Sequence, residues 1–281
     1  MHKLYVLLAG VCMATGAMAQ SDSTQSAPKQ DTIQIGSLKI VKYPKPASDS
    51  GYKARVYVGW QKDHRSRKKE KVSTNSGIID LGFANFTDKT NYAGGGAQVI
   101  APGGNGDWFG LRNGKSVDVN IWIFMQRRNL IAHVVNLKYG VGLELNNYRY
   151  DEPVLYDKAS NTFTMDVTRH YKKNKLATDY LTVPLMLNFN FTPQKDYNKS
   201  FGFSAGVSAG YLYSSRQKTI THEDGKQKIH DDFELNPFKI SYIGEVQLGP
   251  VKLYGSLATQ SIFKKGLDQT PYTFGIRLSN W

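Results

Sequence analysis

The chain has 281 residues and a net charge of +13, from 36 Lys and Arg against 23 Asp and Glu, with a single cysteine. One cysteine excludes an internal disulfide and any cysteine-built metal centre. Tyr 17, Phe 13 and Gly 26 are high counts that lean toward β structure.

Residues 1–19 read as a secretory signal peptide. Lys3 supplies the positive start, residues 4–17 are uncharged and apolar, and Ala17-Met18-Ala19 gives the small-x-small pattern cut before Gln20. The uncharged core is roughly 14 residues, short of the ~20 that a spanning helix needs. Cys12 lies inside this segment, so the mature chain is expected to carry no cysteine. Leu8-Ala9-Gly10-Val11-Cys12 partly matches a lipoprotein cleavage box, but Val11 stands where a small residue belongs. After Ala19 no uncharged apolar stretch is long enough for a helical span. That leaves strand-built membrane proteins open, because barrel strands carry only a weak alternating signal. A basic chain can suit nucleic acid, but export removes that partner. Anionic outer-membrane lipid, lipopolysaccharide or cell-wall polymer is the better electrostatic match.

Residues 20–76 are expected to form a periplasmic N-terminal extension with partial order. Thr32-Ile33-Gln34-Ile35 alternates and predicts a short strand, and Arg55-Val56-Tyr57-Val58-Gly59-Trp60 predicts another. Between them Tyr43-Pro44-Lys45-Pro46 is a stiff break, since each proline fixes φ and removes a donor. A basic run follows at 62–71, with His64, Arg65, Arg67, Lys68 and Lys69. It reads as a solvated charge cluster, with binding to anionic cell-wall or lipid groups as the alternative.

From Gly77 to Trp281 period-two alternation recurs, in segments near the ~9–11 residues of a tilted spanning strand. Ile79, Leu81 and Phe83 alternate with Asp80, Gly82 and Ala84. Val117, Val119, Ile121, Ile123 and Met125 alternate with Asp118, Asn120, Trp122, Phe124 and Gln126. In the third segment His133, Val135, Leu137, Tyr139, Val141, Leu143 and Leu145 share a face opposite Asn136, Lys138, Gly140, Gly142, Glu144 and Asn146. The fourth sets Leu181, Val183, Leu185, Leu187, Phe189 and Phe191 against Thr182, Pro184, Asn188 and Asn190. The fifth runs from Phe201 to Tyr213 against Gly202, Ser204, Gly206, Ser208 and Gly210. Phe238, Ile240, Tyr242, Val246 and Leu248 make the sixth, opposite Lys239, Ser241, Glu245 and Gln247. A weaker seventh covers 251–259, and the eighth sets Tyr272, Phe274, Ile276 and Leu278 against Thr273, Gly275 and Arg277.

Short links near Arg128-Asn129, 193–199 and Gly249-Pro250 alternate with long ones at 88–115, 149–179, 219–232 and 264–269. Short turns on one side and long loops on the other mark an outer-membrane barrel with both ends in the periplasm. The expected fold is therefore all-β, an eight-stranded antiparallel up-and-down transmembrane β-barrel over residues 77–281. A soluble β-sandwich also alternates, but its outward face is rich in Lys, Glu and Thr. Here the polar face is Gly, Ser and Asn with isolated charges. Tyr148, Tyr150, Tyr180, Phe189, Phe191, Tyr211, Tyr213 and Tyr272 near strand ends suggest an aromatic girdle. The polar face holds Asp80, Asp118, Lys138, Glu144, Lys239, Glu245, Lys252 and Arg277. In a narrow barrel these need one another as partners, which predicts an interior polar network and not an open channel.

Tyr180-Leu181-Thr182-Val183-Pro184-Leu185-Met186-Leu187-Asn188-Phe189 resembles a strand signature of the PorT-like outer-membrane β-barrel family. The Gly-x-x-x-Gly strand at 201–213 is similar to the strand that follows it there. This resemblance covers roughly 77–281 and implies an integral outer-membrane protein, in a family that includes factors assisting secretion. One departure is Trp281, which is out of phase with the apolar face of 272, 274, 276 and 278.

Gly110-Leu111-Arg112-Asn113-Gly114-Lys115-Ser116 resembles a phosphate loop but has three residues between its glycines where four are needed, and it precedes a strand. Residues 92–110, with Gly94-Gly95-Gly96 and Gly103-Gly104-Asn105-Gly106, read as a mobile external loop that offers Trp108 and Phe109 as contact points. His133 on the apolar face, and His170, His222 and His230 in loops, suggest no nucleophile–base pair. Asp231, Asp232 and Glu234 read as solvated turn carboxylates before a metal site. The expectation is a non-enzyme without cofactor or metal. Its partners would be outer-membrane lipid and lipopolysaccharide, with a protein met through the loops or the extension. Accessory duty in a secretion or assembly machine is the alternative, and a small pore is disfavoured by the filled interior.

Overall fold

The computed structural model describes residues 31–35, 38–42, 56–60, 70–195 and 199–279. The expected signal peptide with Cys12, most of the basic run at 62–71, and Trp281 lie outside the described residues. The chain divides into two units, Met1–Lys68 and Lys69–Trp281. In the first, β1 (Asp31–Ile35), β2 (Leu38–Lys42) and β3 (Val56–Trp60) form an antiparallel sheet in that order. Alternation had marked β1 and β3. The middle strand, β2, was not anticipated, and it stops before the Pro44–Pro46 break.

The second unit runs β4 (Val72–Asp88), α1 (Gly95–Ile100), β5 (Val117–Ile131), β6 (Val135–Arg149), β7 (Val154–Asp157), β8 (Thr162–Met165), β9 (Tyr171–Asn190), β10 (Phe201–Thr221), β11 (Lys226–His230), β12 (Phe238–Leu248), β13 (Val251–Ala258) and β14 (Gln269–Leu278). β4, β5, β6, β9, β10, β12, β13 and β14 pair antiparallel with their chain neighbours in this order. The last strand returns to the first, from Gln269↔Asp88 to Leu278↔Ile79. The sheet thus closes as an eight-stranded up-and-down barrel. β7 and β8 make a separate hairpin, and β11 folds back on β10. The first ring strand starts at Val72, with Gly77 inside it at φ 69.

Burial runs opposite to that of a soluble sheet. Along β9, Leu181, Val183, Leu185 and Leu187 are exposed while Thr182, Pro184, Met186 and Asn188 are buried. β6 and β12 repeat this, with Lys138, Glu144, Lys239 and Glu245 inside. An apolar belt facing outward around a polar interior is the surface that hydrocarbon solvates. It excludes the sandwich, whose apolar face would be inside.

Two bulges change the phase predicted by strict alternation. The β5–β6 register shifts between Trp122 and Phe124. The extra residue, Ile123, turns Phe124 outward and Met125 into the core, the reverse of their expected faces. The β9–β10 register shifts between Leu212 and Ser214, beyond which Ser215, Gln217 and Thr219 point inward. β9 and β10 span 20 and 21 residues, well beyond the ~9–11 a crossing needs. The surplus rises past the belt as a pillar that the lipid-facing pattern could not reveal, because its outward face is polar. Pro184 fits within β9 because the β6–β9 ladder steps from Tyr139↔Leu185 to Gly142↔Thr182 and makes no pair at this proline.

Two further expectations are corrected. Tyr148, Tyr150 and Tyr180 are buried in the interior and are not girdle residues, since their positions share the inward phase of Asn146 and Thr182. Phe191, Tyr211 and Tyr213 do stand exposed, with Phe189 stacked on Phe203 at 4.8 Å and Tyr211 near Phe238 at 5.4 Å. His133 is not on a strand face. It occupies the β5–β6 turn at φ 59, its N–H donating to Asn129 Oδ1 at 2.7 Å. Leu185, half exposed at 50%, sits mid-belt. Leu185→Arg is expected to cost about 2–4 kcal/mol in a lipid bilayer, measured by reversible unfolding in liposomes. A change below about 0.5 kcal/mol, as on a water-exposed surface, would contradict a lipid-facing position.

Candidate functional site

The inward phase of the ring strands gathers the charges singled out from the sequence. Arg277 on β14 is buried and grips Asp80 on β4 with two bonds, Nε to Oδ1 and Nη2 to Oδ2, both 2.7 Å. Its Nη1 also reaches Glu245 on β12 at 2.5 Å, and Lys138 on β6 meets the other Glu245 oxygen at 2.6 Å. Trp122 Nε1 donates to Asp80 at 2.8 Å, and the guanidinium lies 5.4 Å from the Trp122 ring centroid. Two carboxylates and two cations on four strands are thus locked in one cluster.

A second cluster lies nearer the long loops. Lys239 pairs with Glu144 and sits 4.3 Å over the Tyr180 ring. Glu144 also accepts from Asn146 at 2.9 Å and from Thr182 at 3.4 Å. Asp118 departs from the expected ion pairing. Its Oδ2 accepts from Asn120 at 2.9 Å and from the Tyr254 hydroxyl. Lys252 is buried at the turn end and donates to Ser279 at 2.6 Å.

Trp122, Tyr254, Asn120 and Tyr180 complete the network but were not among the charged residues first picked out. For Trp122, Asn120 and Tyr254 the signal was phase alone, since each shares the inward parity of a charge on its own strand, and Tyr180 shares that of Thr182 and Asn188. Glycines make room for the rings. A Cβ on Gly142 would lie 2.6 Å from the Trp122 ring, and one on Gly82 would lie 2.5 Å from the Tyr254 hydroxyl. What remains is a cavity of about 30 Å³ lined by Asp80, Asn120, Trp122, Glu144, Tyr254 and Arg277. That has room for on the order of two waters.

Beyond the network, on the long-loop side, lies an apolar core built by the connections. Phe163 of β8 is its centre, with ring centroids 5.1 Å from Tyr156, 5.4 Å from Phe109 and 5.8 Å from Phe263. Phe233, Leu235, Ile100, Ile262 and Leu267 are buried with it. Residues 92–110 were expected as a mobile loop presenting Trp108 and Phe109. Instead Phe109 is fully buried and Trp108 packs partly buried against this core. The difference follows from long-range packing, since Phe109 meets Tyr92 of its own loop, Tyr150 just beyond β6 and Phe163 of β8.

Ion pairs fasten the cap's rim. Arg112 meets Asp151 at 2.7 Å, Lys264 meets Asp232 at 3.0 Å, Lys158 meets Asp231 at 3.2 Å, and Lys265 lies 3.9 Å from Glu234. The carboxylates expected as solvated turn residues therefore each face a lysine from another loop. The near-phosphate-loop segment forms a short 3-10 turn, Asn113–Lys115, and Ser116 Oγ accepts the Arg149 N–H at 2.9 Å. Burial works against the Asp232 carboxylate, yet the Glu234 N–H and Lys264 hold it below its ordinary range. Asp166 is lowered by the hydroxyls of Thr168 at 2.6 Å and Tyr171 at 2.7 Å.

A family model described as "Outer membrane protein beta-barrel domain" matches residues 89–265. No curated protein matches the chain. The matched span holds β5 to β13, and the flanking β4 and β14 are the strands that close the ring.

Two predictions follow from these charges. Arg277→Met removes the cation paired with buried Asp80 and one of the two bonded to Glu245, and is expected to cost about 3–5 kcal/mol, whereas Arg112→Met, in an exposed pair, costs under about 1 kcal/mol; denaturant unfolding in detergent measures both. Asp166 and Asp232 are lowered on folding, so their contribution is complete above the ordinary Asp value of ~3.9 and is lost as pH falls below it. Amide exchange at 150–170 and 222–237 should therefore quicken below about pH 4, while the ring strands stay protected.

Proposed function

This chain belongs to the outer-membrane β-barrel domain family, and from that premise we propose that it is a sealed, non-enzymatic barrel acting as a structural and interaction element through its folded loop cap. One observation carries the reading. The lumen is closed twice, by the Arg277–Asp80–Glu245–Lys138 cluster and by the apolar core around Phe163. A solute would have to break buried ion pairs and unfold a packed core. Short turns at one end and long connections at the other support an orientation with the cap outside the cell and both chain ends in the periplasm. Export by the signal peptide at residues 1–19 belongs to the same proposal.

The finer kinship to PorT-like proteins rests on Tyr180-Leu181-Thr182-Val183-Pro184-Leu185 and on the following strand. It supports a second reading, accessory duty in a secretion or assembly machine. The β1–β3 sheet, on the chain before the barrel, would be the element available for periplasmic contact.

The test joins conductance with capture. In planar bilayers the folded protein should give no single-channel steps, and steady openings would overturn the sealed reading. In native outer membranes, cross-linking should recover a protein partner from the tagged wild type. Phe163→Ala, expected to loosen the cap by about 3–5 kcal/mol, should lose that partner while the barrel keeps its folded mobility on gels. Undiminished capture by this variant would place the contact elsewhere, and recovery of the barrel alone, beside an efficiently cross-linked control complex, would overturn the interaction role.

A further inference from the structure

The pillar formed where β9 and β10 outrun the apolar belt carries an unusual row of like charges. Lys175 on β9 stands directly opposite Arg149 on β6 on one side and Lys218 on β10 on the other. Lys218 is in turn opposite Lys228 on β11. Four adjacent strands thus present one unbroken basic rank. In the next rank out, Ile220 is flanked by Lys173 and Lys226. All these residues have the phase opposite to buried Asn174, Leu176, Gln217 and Thr219, so they project from the outer wall.

Directly opposite side chains are about 4.5–5.5 Å apart at Cβ, and like charges so placed destabilise a sheet. Carboxylates are available nearby, yet Arg216 takes Asp179 and Arg169 takes Asp166 and Asp224. Among the described residues none of Arg149, Lys173, Lys175, Lys218, Lys226 and Lys228 is ion-paired with a carboxylate. The geometry is held, since Arg149 donates to the Lys172 carbonyl at 2.6 Å and Lys175 to Asn147. A fixed, uncompensated basic rank calls for a ligand bearing several anionic groups at comparable spacing.

Its height selects the source. Tyr213 is the last exposed aromatic of the belt on β10, and Lys218 lies roughly 17 Å further along the strand, about 12 Å in height at a tilt of ~45°. Phospholipid headgroups extend only about 5–8 Å beyond the hydrocarbon. The phosphorylated inner sugars of lipopolysaccharide occupy the level above. We propose that the Arg149–Lys175–Lys218–Lys228 rank, with Lys173 and Lys226, is a docking surface for lipopolysaccharide phosphates. This rests on the outward placement of the long loops proposed above.

Full-length wild type and a Lys175→Gln/Lys218→Gln/Lys228→Gln variant, both in detergent and both checked for heat-modifiable mobility, are titrated with purified lipopolysaccharide and with the same material enzymatically dephosphorylated. At about a factor of five per charge, the triple variant should bind about 100-fold more weakly. Dephosphorylation should weaken the wild type comparably, and that arm stands even if the variant fails to fold. Equal binding by both proteins, or by the wild type to both lipids, overturns the proposal, as does cross-linked recovery of an acidic protein on this rank instead of lipid. A Lys228→Cys variant probed on intact cells with a membrane-impermeant maleimide separates the two readings. Absence of labelling overturns the loop-outward orientation and the lipid source with it; labelling together with phosphate-independent binding overturns the docking surface alone.

Discussion

Hydrocarbon offers no hydrogen bonds, so a strand-built span must pair every backbone N–H and C=O within itself. The rest of this structure depends on that constraint, and the β14–β4 seam meets it. Once Leu278 finds Ile79 and Gln269 finds Asp88, the sheet has no edge left in the belt. Closure also decides which side chains meet. Arg277 and Asp80 are far apart in sequence, and only the seam brings them to a bidentate contact. The seam that completes the ring also makes this buried pair.

A closed ring of eight strands turns the usual economy of a β-sheet inside out. The apolar side chains face lipid, and the polar ones must fill a narrow lumen where an unpartnered charge is costly. The chain meets this with pairs spread over different strands, so that each contact also fixes the relative register of its neighbours. Trp122 and Tyr254 add neutral donors to Asp80 and Asp118, and they fit because glycines stand where the facing wall would otherwise clash. The interior is therefore a scaffold that holds shape.

The outer end is governed by different physics. There the strands leave the belt, water is present again, and an ordinary hydrophobic core can form. The β7–β8 hairpin, α1 and the later loops bury their aromatic residues against one another around Phe163. Salt bridges at the rim tie loops that are distant in sequence, and the tall β9–β10 pillar with β11 stands beside the cap as a basic wall. The protein thus places a packed, folded surface at its loop end.

How much of this the sequence contained differs by level. Strand number, the sign of each face and the short-and-long alternation of links could be read directly, because period two and lipid exposure act on local residues. The inward charges could be read as a set, since Asp80, Lys138, Glu144, Lys239, Glu245 and Arg277 each declare their face by parity. Who pairs with whom could not, as it depends on ring closure and strand register. Nor could the Ile123 bulge that reverses Phe124 and Met125, or the continuation of β9 and β10 past the last lipid-facing residue. The cap was least legible. Phe109 looked like an exposed contact on a glycine-rich loop, and Tyr148 and Tyr150 looked like girdle residues, because their apolar partners come from segments tens of residues away. Local pattern determined the wall of this barrel; its plug, its cap and the basic rank on its pillar were decided by which strands the closed sheet sets side by side.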